Sequence, residues 1–336
     1  MGLTVAVTGP TGEIGVAAVD ALEREPEVER VIGMARRDFD PSSYGWVKTE
    51  YRRGDILDRA AVEALVAEAD VVVHLAYLIM GSRAASHLVN LDGTRNVFEA
   101  TVAAQRPTRL VYTSSVAAYG YHPENPQPLT EDVPTNGSRE HYYSQQKAEC
   151  ETLLRDATLG SDIEVYTLRP CIVAGPQATA LADSMPWRQV SARLPATARK
   201  ALAKVPGLRM VVPDPGNPVQ LVHHDDVASA IALATLGRGE PGAYNLAGDE
   251  TVTFGDVATA LGALPVPVPA AAATLASEVV GKLPWVPALA EWIHVARTPV
   301  LMDTSRAKAL LGWRPEHTAP QTLEEMASAV RARSGG

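Results

Sequence analysis

The chain is poor in the features that would tie it to an oxidising compartment, to nucleic acid or to a bilayer. It has two cysteines, Cys150 and Cys171, among 336 residues. Two thiols provide no disulfide framework and fit a reducing cytosol. A basic excess is also lacking: 30 Lys and Arg stand against 39 Asp and Glu, a formal net charge of −9. Nucleic-acid binding needs a positive surface for phosphate, so that partner is not expected. No apolar run reaches the ~20 residues that span a bilayer, so no membrane partner is expected either. The start, Met1-Gly2-Leu3-Thr4, runs into a strand pattern without a basic leader or cleavage site. Gly2 invites a myristoylation reading, but Ala6 stands where that motif needs Ser or Thr. A soluble, cytoplasmic protein is expected.

Apolar residues make up 46% and charged residues 21%, an ordinary composition for a globular enzyme of one large or two interlocked domains. Leu3 to Val7 is a short apolar run that ends in Thr8-Gly9-Pro10-Thr11-Gly12-Glu13-Ile14-Gly15. A helical pattern through Val16, Val19 and Leu22 follows. In a strand–turn–helix context, such glycines let backbone N–H groups approach a pyrophosphate at a helix N-terminus. No Gly-Lys-Ser/Thr follows, which excludes a Walker loop. The second strand, Val31 to Ala35, ends where a carboxylate would hold the ribose 2′-hydroxyl of NAD. Arg36 and Arg37 stand there instead, and two guanidiniums suit a 2′-phosphate. NADP(H) is therefore the expected cofactor, with NAD(H) the alternative; Asp38 would partly neutralise the pair.

The alternation continues. A strand is predicted near Lys48 to Arg53 and a helix from Arg59 to Ala67. Val71 to Ala76 reads as a buried strand, Ser86 to Ala103 as one long helix, and Leu110 to Tyr112 as a strand closing on Thr113-Ser114-Ser115. Near-continuous apolar strands alternating with helices mean a parallel, doubly wound sheet with ligands at the strand C-terminal ends. Ser115, or Ser114 if the register slips by one, would then face the cofactor crevice. Downstream, Tyr143-Ser144-Gln145-Gln146-Lys147 puts a phenol and an ammonium one helical turn apart. An adjacent ammonium stabilises phenolate and lowers the phenol's pKa from its usual ~10, which suits proton transfer to an alcohol oxygen.

These pieces resemble the extended short-chain dehydrogenase/reductases, a family with NAD-dependent epimerase/dehydratase-like members. The resemblance rests on Thr8-Gly9-x-x-Gly12-x-x-Gly15, Gly54-Asp55-Ile56, His74-Leu75-Ala76, Asn90-x-x-Gly93-Thr94, Thr113-Ser114-Ser115, Tyr143-x-x-x-Lys147 and Leu168-Arg169-Pro170. It continues through Val222-His223-His224-Asp225-Asp226-Val227, Tyr244-Asn245-Leu246 and Leu311-Gly312-Trp313-Arg314-Pro315. It implies a Rossmann-type α/β fold, a doubly wound parallel sheet with a smaller C-terminal α/β substrate-binding lobe. Residues 1–174 plus about 219–242 would form the nucleotide domain, and about 175–218 plus 243–330 the lobe. Gly9, Gly12 and Gly15 would hold the pyrophosphate, with Thr11, Glu13 and Ile14 between them. Asp55 and Ile56 would flank the adenine, and Leu75, Ala76, Tyr77 and Pro170 would complete the cofactor contacts. Tyr143 would be the general acid/base, Lys147 would bind the nicotinamide ribose and lower the tyrosine's pKa, and Ser115 would bond the substrate oxygen. A homodimer through the helices carrying Tyr143 and Asn90 is also implied.

Within that family, dehydratases place an acidic pair after the strand-end hydroxyl, where this chain has Ser114 and Ser115. Nucleotide-sugar enzymes usually have Asn where Ile172 stands, and an arginine just before the Val-His stretch where this chain has Val219-Gln220-Leu221. Tyr77, Leu78, Ile79 and Met80 form an apolar wall beside the expected nicotinamide. An NADP(H)-dependent reductase of an apolar ketone or aldehyde, or dehydrogenase of a secondary alcohol, is the expected function. The alternatives are a sugar-nucleotide 4-epimerase with retained NAD and a non-catalytic NADP-sensing module. His223-His224-Asp225-Asp226 is expected as a strand-to-helix junction capped by Asp225 or Asp226, with no metal. Thr253-x-x-Asp256 and Thr322-x-x-Glu325 read as capping boxes. The stretch Leu264 to Val295, with Trp285 and Trp292, would be a lid over an apolar substrate or ordinary packing.

Overall fold

A computed structural model of the chain describes residues 2–79, 83–185, 210–269 and 300–335. In chain order, β1 (Leu3–Thr8), α1 (Glu13–Arg24), β2 (Val28–Ala35), β3 (Thr49–Arg53), α2 (Arg59–Val66) and β4 (Val71–His74) come first. Next, α3 (Arg83–His87) passes through a π-helical turn, Leu88–Gly93, into α4 (Thr94–Ala103). Then follow β5 (Arg109–Thr113), α5 (Tyr142–Thr158), β6 (Glu164–Pro170), β7 (Ile172–Ala174), α6 (Ala180–Ser184), β8 (Val211–Asp214), β9 (Pro218–His223) and α7 (His224–Thr235). The rest is β10 (Gly242–Leu246), β11 (Thr251–Thr253), α8 (Phe254–Ala260), β12 (Leu264–Pro267) and α9 (Ala319–Gly335).

Seven parallel strands form the main sheet in the order β10-β6-β5-β4-β1-β2-β3. The valine-rich strands follow from burial on both faces. Val71 and Val73 enter the core beneath α1 and α7, while Val72 enters the core beneath α2, α4 and α5. The strand order reverses between β1 and β4, which opens a crevice at their carboxyl ends. His74 pins that opening: its ring nitrogens bond the Thr8 and Thr94 hydroxyls at 2.7 and 3.0 Å.

Several expectations need correction. The predicted long helix is present and continuous, but it carries a π-helical turn at Leu88–Gly93 that the sequence pattern did not indicate. There Asn90 turns inward, bonding both polar groups of the Leu78 backbone and the Gln146 side chain. β10 belongs to the main sheet, beyond the boundary expected at 242, because buried Tyr244 and Leu246 pack with Tyr166 and Leu168 of β6. β9 pairs instead with β7 and β11 in a three-stranded sheet that carries a third core. The predicted capping box at Thr253–Asp256 is present. At α9 the box lies at Thr318–Gln321 rather than Thr322–Glu325, because Pro320, lacking an N–H, fits only the first turn.

Candidate active site

The crevice is lined at its floor by the glycine turn between β1 and α1. Gly9 has φ +77°, and a Cβ there would lie 2.8 Å from the Ala76 backbone. A Cβ on Gly15 would lie 2.1 Å from the Gly9 carbonyl oxygen. Only a bare backbone closes this turn, and it leaves the first N–H groups of α1 facing a cavity of about 430 Å³. The N–H groups that begin a helix, with no side chain on the flanking glycines, fit the pyrophosphate of a dinucleotide.

Tyr143, Lys147 and Ser115 line the same cavity from the opposite side. They converge because α5 is anchored on the turn after β5. His141 caps the helix, its Nδ1 accepting from the Ser144 N–H at 3.2 Å. The Ser144 hydroxyl donates to the Ala117 carbonyl at 2.6 Å. Loss of water pushes the Tyr143 phenol above its ordinary range, while a hydrogen bond with Ser115 pulls it down. Ser115 Oγ accepts from the Ala117 N–H at 3.2 Å, which leaves its O–H free to donate. Lys147 is buried one helical turn beyond Tyr143 on α5. Its ammonium donates to the Thr113 carbonyl at 3.0 Å and sits 3.8 Å from the Tyr77 ring centroid. Burial brings it down to about 8.

Behind this wall runs a buried polar chain. The Ser114 hydroxyl donates to Glu151 at 2.5 Å, and Glu151 accepts both arms of Arg169 at 3.0 and 2.7 Å. Arg169 also donates to the Tyr119 hydroxyl, which donates to Asn245. Ser114 is thus committed to the scaffold, and Ser115 is the serine beside Tyr143.

Residues 5–247 match the sequence profile of the NAD dependent epimerase/dehydratase family. The chain belongs to that family. Its similarity to the uncharacterized protein Rv2047c of Mycobacterium tuberculosis is 28% identity over 336 residues, 99% of this chain. The chain spans only 31% of that relative's length. Human 3 beta-hydroxysteroid dehydrogenase type 7 is 36% identical over 172 residues, 46% of this chain and 44% of that one. The solved structure of UDP-glucuronic acid 4-epimerase from Bacillus cereus in complex with NAD superposes with a TM-score of 0.72. It shares 18% identity and covers 98% of this chain and 99% of that one, which establishes the common fold.

On this epimerase/dehydratase scaffold most of the residues singled out from the sequence meet at one cavity. Gly9, Gly12, Glu13, Ile14, Gly15, Leu75, Tyr77, Ser115, Tyr143, Lys147 and Pro170 all line it. Thr11 lies within the turn, and Ala76 backs Gly9. Arg36 and Arg37 are exposed just past β2, while Asp55 and buried Ile56 follow β3 at the same edge of the sheet. Of the expected apolar wall, Tyr77 and Ile79 line the cavity. Met80, Trp285 and Trp292 lie outside the described residues. The sequence reading missed Val116, Tyr121, His141, Val173 and Leu181, which also face the cavity. Only His141, two residues before Tyr143, carried a local signal as a helix cap.

His223–Asp226 folds as a strand-to-helix junction, but no aspartate caps it. His223 does, its Nδ1 accepting from the Asp225 N–H at 3.2 Å. Asp226 already lies in the first turn, and its buried carboxylate reaches the Glu316 and His317 N–H groups at 2.8 and 3.2 Å. His223, Asp225 and His317 bring ligand-type atoms within 4.8 Å of one another. The His223 and His317 rings stack with centroids 3.8 Å apart and 19° between planes. Their nitrogen lone pairs lie in nearly parallel planes, whereas the ligands of one ion point at a common centre.

Proposed function

We propose that this family member is an NADP(H)-dependent oxidoreductase that reduces an apolar ketone or aldehyde, or oxidises the corresponding secondary alcohol. The observation that carries the reading is the cavity lining. Among the described residues its only long cationic side chain is Lys147, and its remaining surface includes Ile79, Val116, Ile172, Val173 and Leu181. Among the described residues a diphosphate there would find no guanidinium partners, whose charge-assisted bonds contribute ~1.5–3 kcal/mol each. An apolar carbonyl loses little on entering. The similarity to a 3 beta-hydroxysteroid dehydrogenase supports the same chemistry.

The preference for NADP rests on Arg36 and Arg37. Among the described residues neither forms an ion pair, and Asp38, the nearest carboxylate in sequence, pairs with Arg53 at 3.4 Å. When bound, the nicotinamide exchanges a hydride with the substrate carbon. Tyr143 gives a proton to the carbonyl oxygen in reduction and takes it back in oxidation. The Ser115 hydroxyl has one O–H to give: turned to Tyr143 it favours phenolate, and turned to the carbonyl oxygen it orients the substrate. Lys147, fixed by Thr113 and Tyr77, holds a positive charge at the base of the site. A homodimer through α4 and α5 is part of the same proposal, checked by sedimentation of the purified chain.

The test is NADPH and NADH oxidation with decanal, 2-decanone and the 3-ketosteroid androstenedione. NADPH-dependent reduction of at least one supports the reading. The fold likeness to a sugar-nucleotide epimerase motivates the rival. Conversion of UDP-glucose or UDP-glucuronate without added cofactor overturns the reductase reading.

A further inference from the structure

The carboxylate of Glu13 is oriented in a way that its place in the glycine turn does not require. It is the first residue of α1 and lines the cavity. One oxygen, Oε1, accepts two consecutive backbone N–H groups, from Thr179 and Ala180, each at 2.9 Å. Those donors belong to the stretch that leads into α6, where Ala180, Leu181 and Ser184 form the cavity wall facing the turn. The stretch has a second attachment of the same kind, since the Gln177 N–H donates to His224 Nε2 at 3.3 Å. Between β7 and this attachment, Gly175 has φ +133°, and a Cβ there would lie 2.5 Å from the His224 ring. Backbone donors of residues 177–180 are therefore held by side chains of α1 and α7, which pack against each other.

We propose that Glu13 is a positioning residue that clasps the 175–184 wall to the nucleotide turn and so sets where an apolar substrate lies against Tyr143. The clasp itself follows from the contacts alone; its effect on substrate affinity rests on the reductase reading. Two further facts agree with it. Loss of water raises the Glu13 pKa despite both bonds, with Asp183 raising it further and Arg333 opposing. An ionised group that the fold disfavours is a poor device for stability and a good one for placement. The carboxylate is also bonded away from its own turn, which leaves the N–H groups of α1 to a pyrophosphate.

Amide hydrogen exchange of the full-length chain tests the clasp directly. In Glu13→Ala the amides of Thr179 and Ala180 should exchange at least about tenfold faster, with the rest of the protection pattern retained. Glu13→Gln, whose carbonyl oxygen offers the same two lone pairs, should stay within about threefold of the wild type. Both variants should bind NADPH, titrated by its fluorescence, within about threefold of the wild type. The KM for whichever of decanal, 2-decanone and androstenedione the wild type reduces fastest should rise about tenfold in Glu13→Ala, with kcat little changed. Should Glu13→Ala fail to fold, Glu13→Asp, of equal charge but shorter reach, should show the same local loss. Unchanged protection at 179 and 180 in the alanine or aspartate variant overturns the clasp. So does equal damage in Glu13→Gln, or a loss of NADPH affinity as large as the rise in KM. Failure to reduce any carbonyl counts against the reductase reading alone, because the exchange result does not depend on activity.

Discussion

The Lys147 ammonium lies 3.8 Å from the centroid of the Tyr77 ring and donates to the Thr113 carbonyl. Among the described residues no carboxylate forms an ion pair with it. With the Tyr77 and Tyr112 rings and one carbonyl around it, burial brings this ammonium down to about 8, against the pull of Cys150 and Glu151. The charged form is present below that value and lost above it. Turnover that depends on the ammonium should therefore fall as pH rises through about 8, and Tyr77→Leu, which removes the ring, should move that fall to lower pH. A pH–rate profile of kcat/KM checks both.

The same burial has a consequence for stability. Unfolded, Lys147 holds its proton up to its ordinary value of 10.5; folded, it holds it only to about 8. Between these values the unfolded chain binds more protons, so wild-type stability gains with rising pH across that window. Lys147→Met removes a penalty of roughly 3 kcal/mol at neutral pH. It should melt higher than the wild type at pH 7 while turning over far more slowly. A lower melting temperature would show that the ammonium stabilises the fold.

Arg36 is exposed beyond β2, and the proposed preference for NADP rests partly on it. Arg36→Ala should raise the KM for NADPH about tenfold and leave that for NADH within about twofold, as loss of one charge-assisted contact implies. Steady-state kinetics with both cofactors measure this.

Glu151 and Arg169 are both 8% exposed at their side chains and paired through two bonds. Glu151→Ala strands a buried guanidinium and frees Ser114, and should cost about 3–5 kcal/mol in denaturant unfolding. Residual folded enzyme should keep its cofactor affinity, because the pair lies behind the cavity wall.

What was legible in the sequence was what is local. The glycine turn, the Tyr143–Lys147 spacing and the valine strands are set by neighbours within one or two turns of chain. The choice between Ser114 and Ser115 was not legible, because Glu151, 37 residues away, decides it. The sheet membership of β10 depends on pairing with β6, and the Glu13 clasp on donors 166 and 167 residues distant. The cap at His223 was hidden for another reason: Asp226, the residue type that usually caps, is drawn off by the loop at Glu316 and His317.

Proton transfer between the Tyr143 phenol and a substrate oxygen is the step on which the proposed function depends. Its most direct test compares Tyr143→Phe with the wild type under saturating NADPH, using whichever of decanal, 2-decanone and androstenedione the wild type reduces fastest. The substitution should lower kcat by at least about 100-fold, the contribution typical of general acid–base catalysis, while NADPH affinity stays within about threefold. Turnover within tenfold of the wild type, with cofactor still bound, would contradict the assignment.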